Sequence, residues 1–262
     1  MIPKSFIMEW GQHVPWQSDQ QIEQDLVICR SLVELFSDPW LASRLAFRGG
    51  TALHKLHLRP QPRYSEDIDL VQVHPEPIKD TIRRIQMALA FLGESAVRPR
   101  RDGFQILWYF ETEIPPCVRS RLKVEINTRE HFEEWGLEKI PFHVDSGWFR
   151  RGCDLTTFRL EELLGTKLRA LYQRKKGRDL FDLYQALRYG PELDMGAVMA
   201  SYERSMDFTG RLPTARQFLL NLENKLQDED FLGDTAALLR PDVDYDPAQA
   251  FRLIREIILH QR

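Results

Sequence analysis

A chain of 262 residues can bury one large core or two modest ones. With 43% hydrophobic and 29% charged residues and a net charge of −3, it has the composition of an ordinary globular protein and none of the overall basicity of a general nucleic-acid binder, which leaves local clusters to play that part. Cys29, Cys117 and Cys153, odd in number and far apart, exclude a disulfide scaffold and show no zinc spacing; the opening residues lack a signal peptide's apolar run, and no stretch is long enough to cross a bilayer, so the expectation is a soluble cytoplasmic protein with no membrane partner.

Ile22, Leu26, Cys29, Val33 and Phe36 recur at steps of four and three and predict a helix over 18–36. The short apolar run Leu45-Ala46-Phe47 is stopped by Gly49-Gly50. Thr51 then opens a second helix through Leu53, Leu56 and Leu58, which Pro60 ends. After a loop at 59–64, Ile68, Leu70, Val71 and Val73 predict a strand, and a helix follows over 78–92. Phe104 to Phe110 and Leu122 to Ile126 read as strands, the latter with a polar face of Lys123, Glu125 and Asn127. The stretch 147–154 is turn-rich, and from Arg159 the pattern is helical, with breaks near Gly177, Gly190, 210–213 and 240–241. The expected class is α/β (α+β): a mixed-sheet lobe over 1–157 and an all-α lobe over 158–262.

Asp67 and Asp69, two positions apart on a strand, share a face at roughly 6–7 Å, where a cation between them relieves their repulsion; magnesium, or manganese, suits such oxygen donors. Taken alone, an Asp-x-Asp also fits a pair of solvated acids. Glu125 would complete a metal cradle on a neighbouring strand, or else pair with a cross-strand base. Gly49-Gly50-Thr51 between strand and helix admits a phosphate, with Thr51 as cap and phosphate contact, or forms a plain tight turn; it is not a P-loop. His54 and His57 share one helix face without a nearby carboxylate or cysteine and read as surface residues rather than ligands.

Together, Arg48-Gly49-Gly50-Thr51 and Arg63-Tyr64-Ser65-Glu66-Asp67-Ile68-Asp69-Leu70 resemble the signature of the polymerase-β-like nucleotidyltransferase superfamily. Glu161 to Leu171, with Lys167, and Arg178-Asp179-Leu180-Phe181-Asp182 resemble later motifs of its AbiEii/type IV toxin group; the likeness spans 45–184. It implies a polymerase-β-like fold and a magnesium-dependent enzyme that moves a nucleoside monophosphate from an NTP to an acceptor. Arg48, Gly49, Gly50, Thr51 and Ser65 would hold the nucleotide, Asp67, Asp69 and Glu125 the metal. Asp179 or Asp182 would orient Lys167 or act as a base. The resemblance further implies a toxin of a toxin–antitoxin or phage-defence system, with an AbiEi-like antitoxin, acting on the tRNA 3′ end or another RNA and blocking translation. A protein or small-molecule acceptor, self-modification at Ser65, and a non-catalytic nucleotide-binding regulator stand as alternatives.

Lys167 lies in the apolar stripe Leu160, Leu164, Leu171, where a cation either snorkels or meets a buried anion; a triphosphate would serve. Asp179 and Asp182 also fit an N-cap and a first-turn acid. Among the basic clusters, Arg98 to Arg101 and Arg150-Arg151 included, Arg174, Lys175, Lys176 and Arg178 are the expected RNA contacts, since they lie between Lys167 and Asp179.

Overall fold

The structure, a computed structural model, describes residues 2–131, 133–208, 210 and 212–260. Arg211, within the break expected at 210–213, and Met1 lie outside the described residues. The chain folds as two compact units, one of Met1–Ala52 with Tyr64–Phe158, the other of Leu53–Arg63 with Arg159–Arg262. The division is therefore not one cut at 157/158: Leu53 and Leu58 are buried in the helical unit's core with Leu160, Leu164 and Leu168.

The first unit comprises helices α1 (Lys4–Trp10), α2 (Asp19–Phe36) and α3 (Pro39–Ala42), strand β1 (Leu45–Arg48), the single turn α4 (Gly49–Ala52), strand β2 (Asp67–Gln72) and helix α5 (Lys79–Ala88) with a 3-10 turn at Ala90–Leu92. Strands β3 (Ser95–Arg100), β4 (Gly103–Glu111), β5 (Arg119–Asn127), β6 (Leu137–Asp145) and β7 (Arg150–Phe158) complete it. They form one seven-stranded sheet in the order β3-β4-β5-β2-β1-β7-β6, in which β2 runs parallel to β5 and β1 parallel to β7. Alternation divides its two faces. Ile68, Leu70, Ile106, Val124 and Ile126 are at most 1% exposed on one of them, and α2 packs against β2, β5, β6 and β7. Each such side chain contributes roughly 1.5–3 kcal/mol on burial. The opposite face carries Asp67, Asp69, Lys123 and Glu125.

Two local expectations change. The helix after β1 starts at Gly49, not Thr51, so Thr51 is internal to it rather than its cap. The stretch 147–154 is not all turn: the reversal is closed by bonds between Ser146 and Phe149, and Gly152 and Cys153 sit inside β7, paired antiparallel with β6. β6 is an edge strand with alternate residues exposed, so it needs no continuous apolar run.

The second unit begins with a π turn, Leu53–His57, followed from residue 160 by α6 (Leu160–Gln173), α7 (Gly177–Tyr189), α8 (Met195–Phe208), α9 (Ala215–Lys225), α10 (Glu229–Gly233) and α11 (Pro247–His260). Its core gathers Leu164, Leu168, Leu171, Leu180, Leu183, Tyr202, Phe218 and Ile254. Among the described residues no helix is long and apolar enough to cross a membrane.

Candidate active site

Register places the candidate acids. Asp69 on β2 lies opposite Arg48 on β1 and Glu125 on β5; Glu125 lies opposite Gln105 on β4, and Gln105 opposite Arg98 on β3. Directly opposed residues share a face, so Arg48, Asp69, Glu125, Gln105 and Arg98 make one polar row across five strands, with Asp67 and Lys123 opposed one step along. Asp67, Asp69 and Glu125 thus lie on one face of two neighbouring parallel strands.

The glycine turn meets that row directly. Gly49 has φ +79°, the left-handed region, and a Cβ there would stand 3.0 Å from Asp69 Cβ and Cγ and closer still to Oδ2. Only glycine lets β1 turn into α4 against the carboxylate. Thr51, 1% exposed, donates its hydroxyl proton to the Asp67 carbonyl, and Ser65 Oγ, 2.7 Å away, then donates to Thr51 Oγ1. Thr51 therefore braces the turn against β2 and has no proton left to offer a phosphate. Arg48 is held by Glu130 at 2.6 Å.

Lys123 was not singled out as part of the site. Its ammonium lies 2.7 Å from Asp67 Oδ2 and 3.1 Å from Glu125 Oε1, so it supplies the positive charge between those acids. Glu125 Oε1 also accepts from Gln105 Nε2 at 2.9 Å, and Gln105 Oε1 accepts from Arg100 at 2.7 Å. Burial, then Glu125 and Asp67, push the Asp69 carboxyl above its ordinary value; burial likewise raises Asp67, against the pull of Lys123. Among the described residues no three His, Cys, Asp or Glu side chains are gathered so that they alone could hold a metal ion. Magnesium does not require such a group, since it commonly binds one or two carboxylates together with substrate phosphates. Hard oxygen donors that raise one another's proton affinity are a donor set a divalent cation fits.

The helical unit holds the remaining candidates in a buried ion network. Asp182, fully buried, accepts from Arg63 Nε at 2.6 Å and Nη2 at 2.7 Å and from His54 Nε2 at 2.8 Å, and pairs with Lys167 Nζ at 2.7 Å. Asp179 pairs with Lys167 at 3.0 Å and with Arg174 at 2.6 and 2.7 Å. Despite the desolvation, Arg63, Lys167 and His54 hold Asp182 well below the usual carboxylate range, and Lys167 and Arg174 lower Asp179. Neither aspartate is a solvated cap: α7 starts at Gly177 with Lys176 at its N-cap position. Of the two alternatives for Lys167, it meets buried anions, and they are the protein's own Asp179 and Asp182.

His54 is not a surface residue. It is 0% exposed, burial pushes its pKa down to about 4, and its buried Nδ1 has no hydrogen-bond partner among the described residues. His54 and Arg63 were missed as members of this network because their acid lies 128 and 119 positions away. The expected RNA cluster is paired as well: Arg174 with Asp179, Lys175 with Asp228, and Lys176 and Arg178 with Asp234.

The mixed sheet thus bears an Asp-x-Asp strand beside a glycine turn, with a third acid on the adjoining parallel strand. The sequence profile "Nucleotidyl transferase AbiEii toxin, Type IV TA system" matches residues 30–256, and the chain belongs to that family. It is a nucleotidyltransferase of a toxin family, which implies a nucleotide substrate and an antitoxin partner. Enzymes of this kind generally use a divalent metal. The fold is similar to that of JHP933 from Helicobacter pylori (20% identity, TM-score 0.58, 92% of this chain and 91% of that one). It is similar also to MenT4, a nucleotidyltransferase toxin from Mycobacterium tuberculosis (16%, 0.57, all of both chains). Among curated proteins none matches in sequence.

Proposed function

We propose that the chain transfers a nucleoside monophosphate from a magnesium-bound NTP to the 3′ end of an RNA, with tRNA the acceptor that fits a block of translation, and that an AbiEi-like antitoxin restrains it in the cytoplasm. The observation that carries this is the placing of Asp67, Asp69 and Glu125 on one polar sheet face against the Gly49 turn. Asp67 and Asp69 would hold the ion, with Glu125 beside them; bound there, it would neutralise charge developing on the phosphates. The acceptor hydroxyl oxygen forms a bond to the α-phosphorus while the α–β bridging P–O bond breaks and pyrophosphate leaves. The hydroxyl proton passes to Glu125 Oε2, because Oε1 already serves Lys123 and Gln105. Lys167 gives two of its three ammonium protons to Asp179 and Asp182 within the helical unit. Most of the catalysis is positioning and charge neutralisation.

Incubation with each labelled NTP, Mg²⁺ and total RNA tests the proposal. Wild type should label RNA of tRNA size, and Asp69→Asn should lower the rate by at least roughly 100-fold. Undiminished transfer by Asp69→Asn, or label on protein alone, would overturn it.

A further inference from the structure

Resting on that reading, we infer that the acceptor's phosphate backbone lies along β3 and the β3–β4 turn, held by Arg98, Arg100 and Arg101, so that its terminal hydroxyl reaches Glu125. A cleft of about 420 Å³ is lined by Asp69 and Glu125 together with Arg100, Arg101, Phe104 and Asn127. The acids end where the cations begin. In the polar row, Glu125 is followed by Gln105 and then Arg98; in the next row, Asn127 is followed by Gly103 and Arg100.

The chemistry of the cleft is polarised accordingly. Asp69 and Glu125 repel phosphate unless a metal intervenes, so that end suits the reacting NTP. Beyond Gln105, Arg98, Arg100 and Arg101 are exposed, and among the described residues no ion pair is recorded for any of them. Asp102 is the acid next to these arginines, and its backbone carbonyl accepts from Thr128. The clusters differ in just this respect: the four cations of 174–178 are all matched by acids of their own unit, whereas the β3 arginines keep their charge for a ligand. Guanidinium groups spaced along an edge strand suit a run of phosphodiesters, which they would position without reading base sequence. Gln105 links the two halves, since it bonds Arg100 on one side and Glu125 on the other.

Binding of fluorescein-labelled total tRNA by the full chain, followed by anisotropy over a salt series, tests this. The double variant Arg98→Glu/Arg101→Glu should weaken binding by at least roughly tenfold and lower the slope of log Kd against log salt by about two, one for each lost phosphate contact. Its affinity for a fluorescent ATP analogue should match wild type, and Lys176→Glu should leave tRNA binding unchanged. If tRNA affinity and slope are unaltered in the double variant, or nucleotide affinity falls alongside, the inference is overturned. The two readings fail differently. Wild type that labels tRNA, with a double variant of unchanged KM for tRNA, overturns the β3 track alone. Wild type that labels no acceptor overturns the catalytic reading and the acceptor track with it.

Discussion

Acidification from pH 7 to pH 5 should strengthen the sheet unit and weaken the helical unit by similar amounts. His54, walled in by Arg63, Lys167 and Asp182, takes its proton at about 4 instead of 6.5 because burial disfavours the cation. The unfolded chain binds that proton first, so stability held at neutral pH is lost as pH falls; the linkage gives about 2 kcal/mol between pH 7 and pH 5. His57, lowered by its own burial, acts in the same direction. Glu23 does the reverse. It is 1% exposed on α2, its Oε2 accepts from Glu113 N at 3.0 Å, and burial raises its pKa from 4.5 to about 7. The folded form binds the proton first, so stability is fully present below 4.5 and is lost as pH rises through 7, again by about 2 kcal/mol over the same span. Global melting would show near cancellation. Hydrogen exchange resolved by segment and corrected for intrinsic rates would instead show protection in α6 and α7 falling by roughly 30-fold while protection in β2 and β5 rises. His54→Asn should remove most of the first change and Glu23→Gln most of the second, the remainder belonging to His57 and to Asp67 and Asp69. If both units move together, or either variant keeps the wild-type response, this account of the two buried groups is wrong.

Gly49→Ala should retain the fold but cost about 1–2 kcal/mol for a Cβ in left-handed backbone, and the displaced Asp69 carboxylate should lower kcat by roughly 10- to 100-fold; wild-type kcat would show that the turn and Asp69 are not coupled. Asp182→Ala strands Arg63, 3% exposed, and Lys167, 7% exposed, beside an emptied position, and urea denaturation should register a loss of about 3–5 kcal/mol. Adding Arg63→Met should recover part of it, and a single-variant loss below about 1 kcal/mol would refute the network's role.

The sheet face that carries chemistry was legible wherever the period of two was clean. Ile68 and Leu70 against Asp67 and Asp69, and Val124 and Ile126 against Lys123 and Glu125, announced both strands and their polar sides. The parallel pairing that opposes Asp69 to Glu125 was not written there, because register depends on connections longer than any local pattern. β6 and β7 were obscured for a different reason. Arg150, Arg151 and Gly152 are exposed in the structure and carry no apolar signal, and a hairpin at a sheet's edge can leave much of its length in water.

Charge was the property that sequence order represented least faithfully. A run such as Arg174-Lys175-Lys176-Gly177-Arg178 records five adjacent residues and says nothing about Asp228 and Asp234, which approach it from more than 50 positions away. His54 was misread for the same reason: its anion, Asp182, is supplied by α7. What distinguishes a ligand-binding cation from a structural one is whether folding has already matched it. By that criterion the strongest nucleic-acid signal in the linear sequence, at 174–178, is consumed within the helical unit. In the weaker one, Arg100 and Arg101 share a cleft with Asp69 and Glu125, Arg98 lies on the same strand as Arg100, and among the described residues none of the three forms an ion pair. A substrate polyanion gains most where the protein has left such charge unneutralised, and here that place adjoins the acids that would hold its reaction partner.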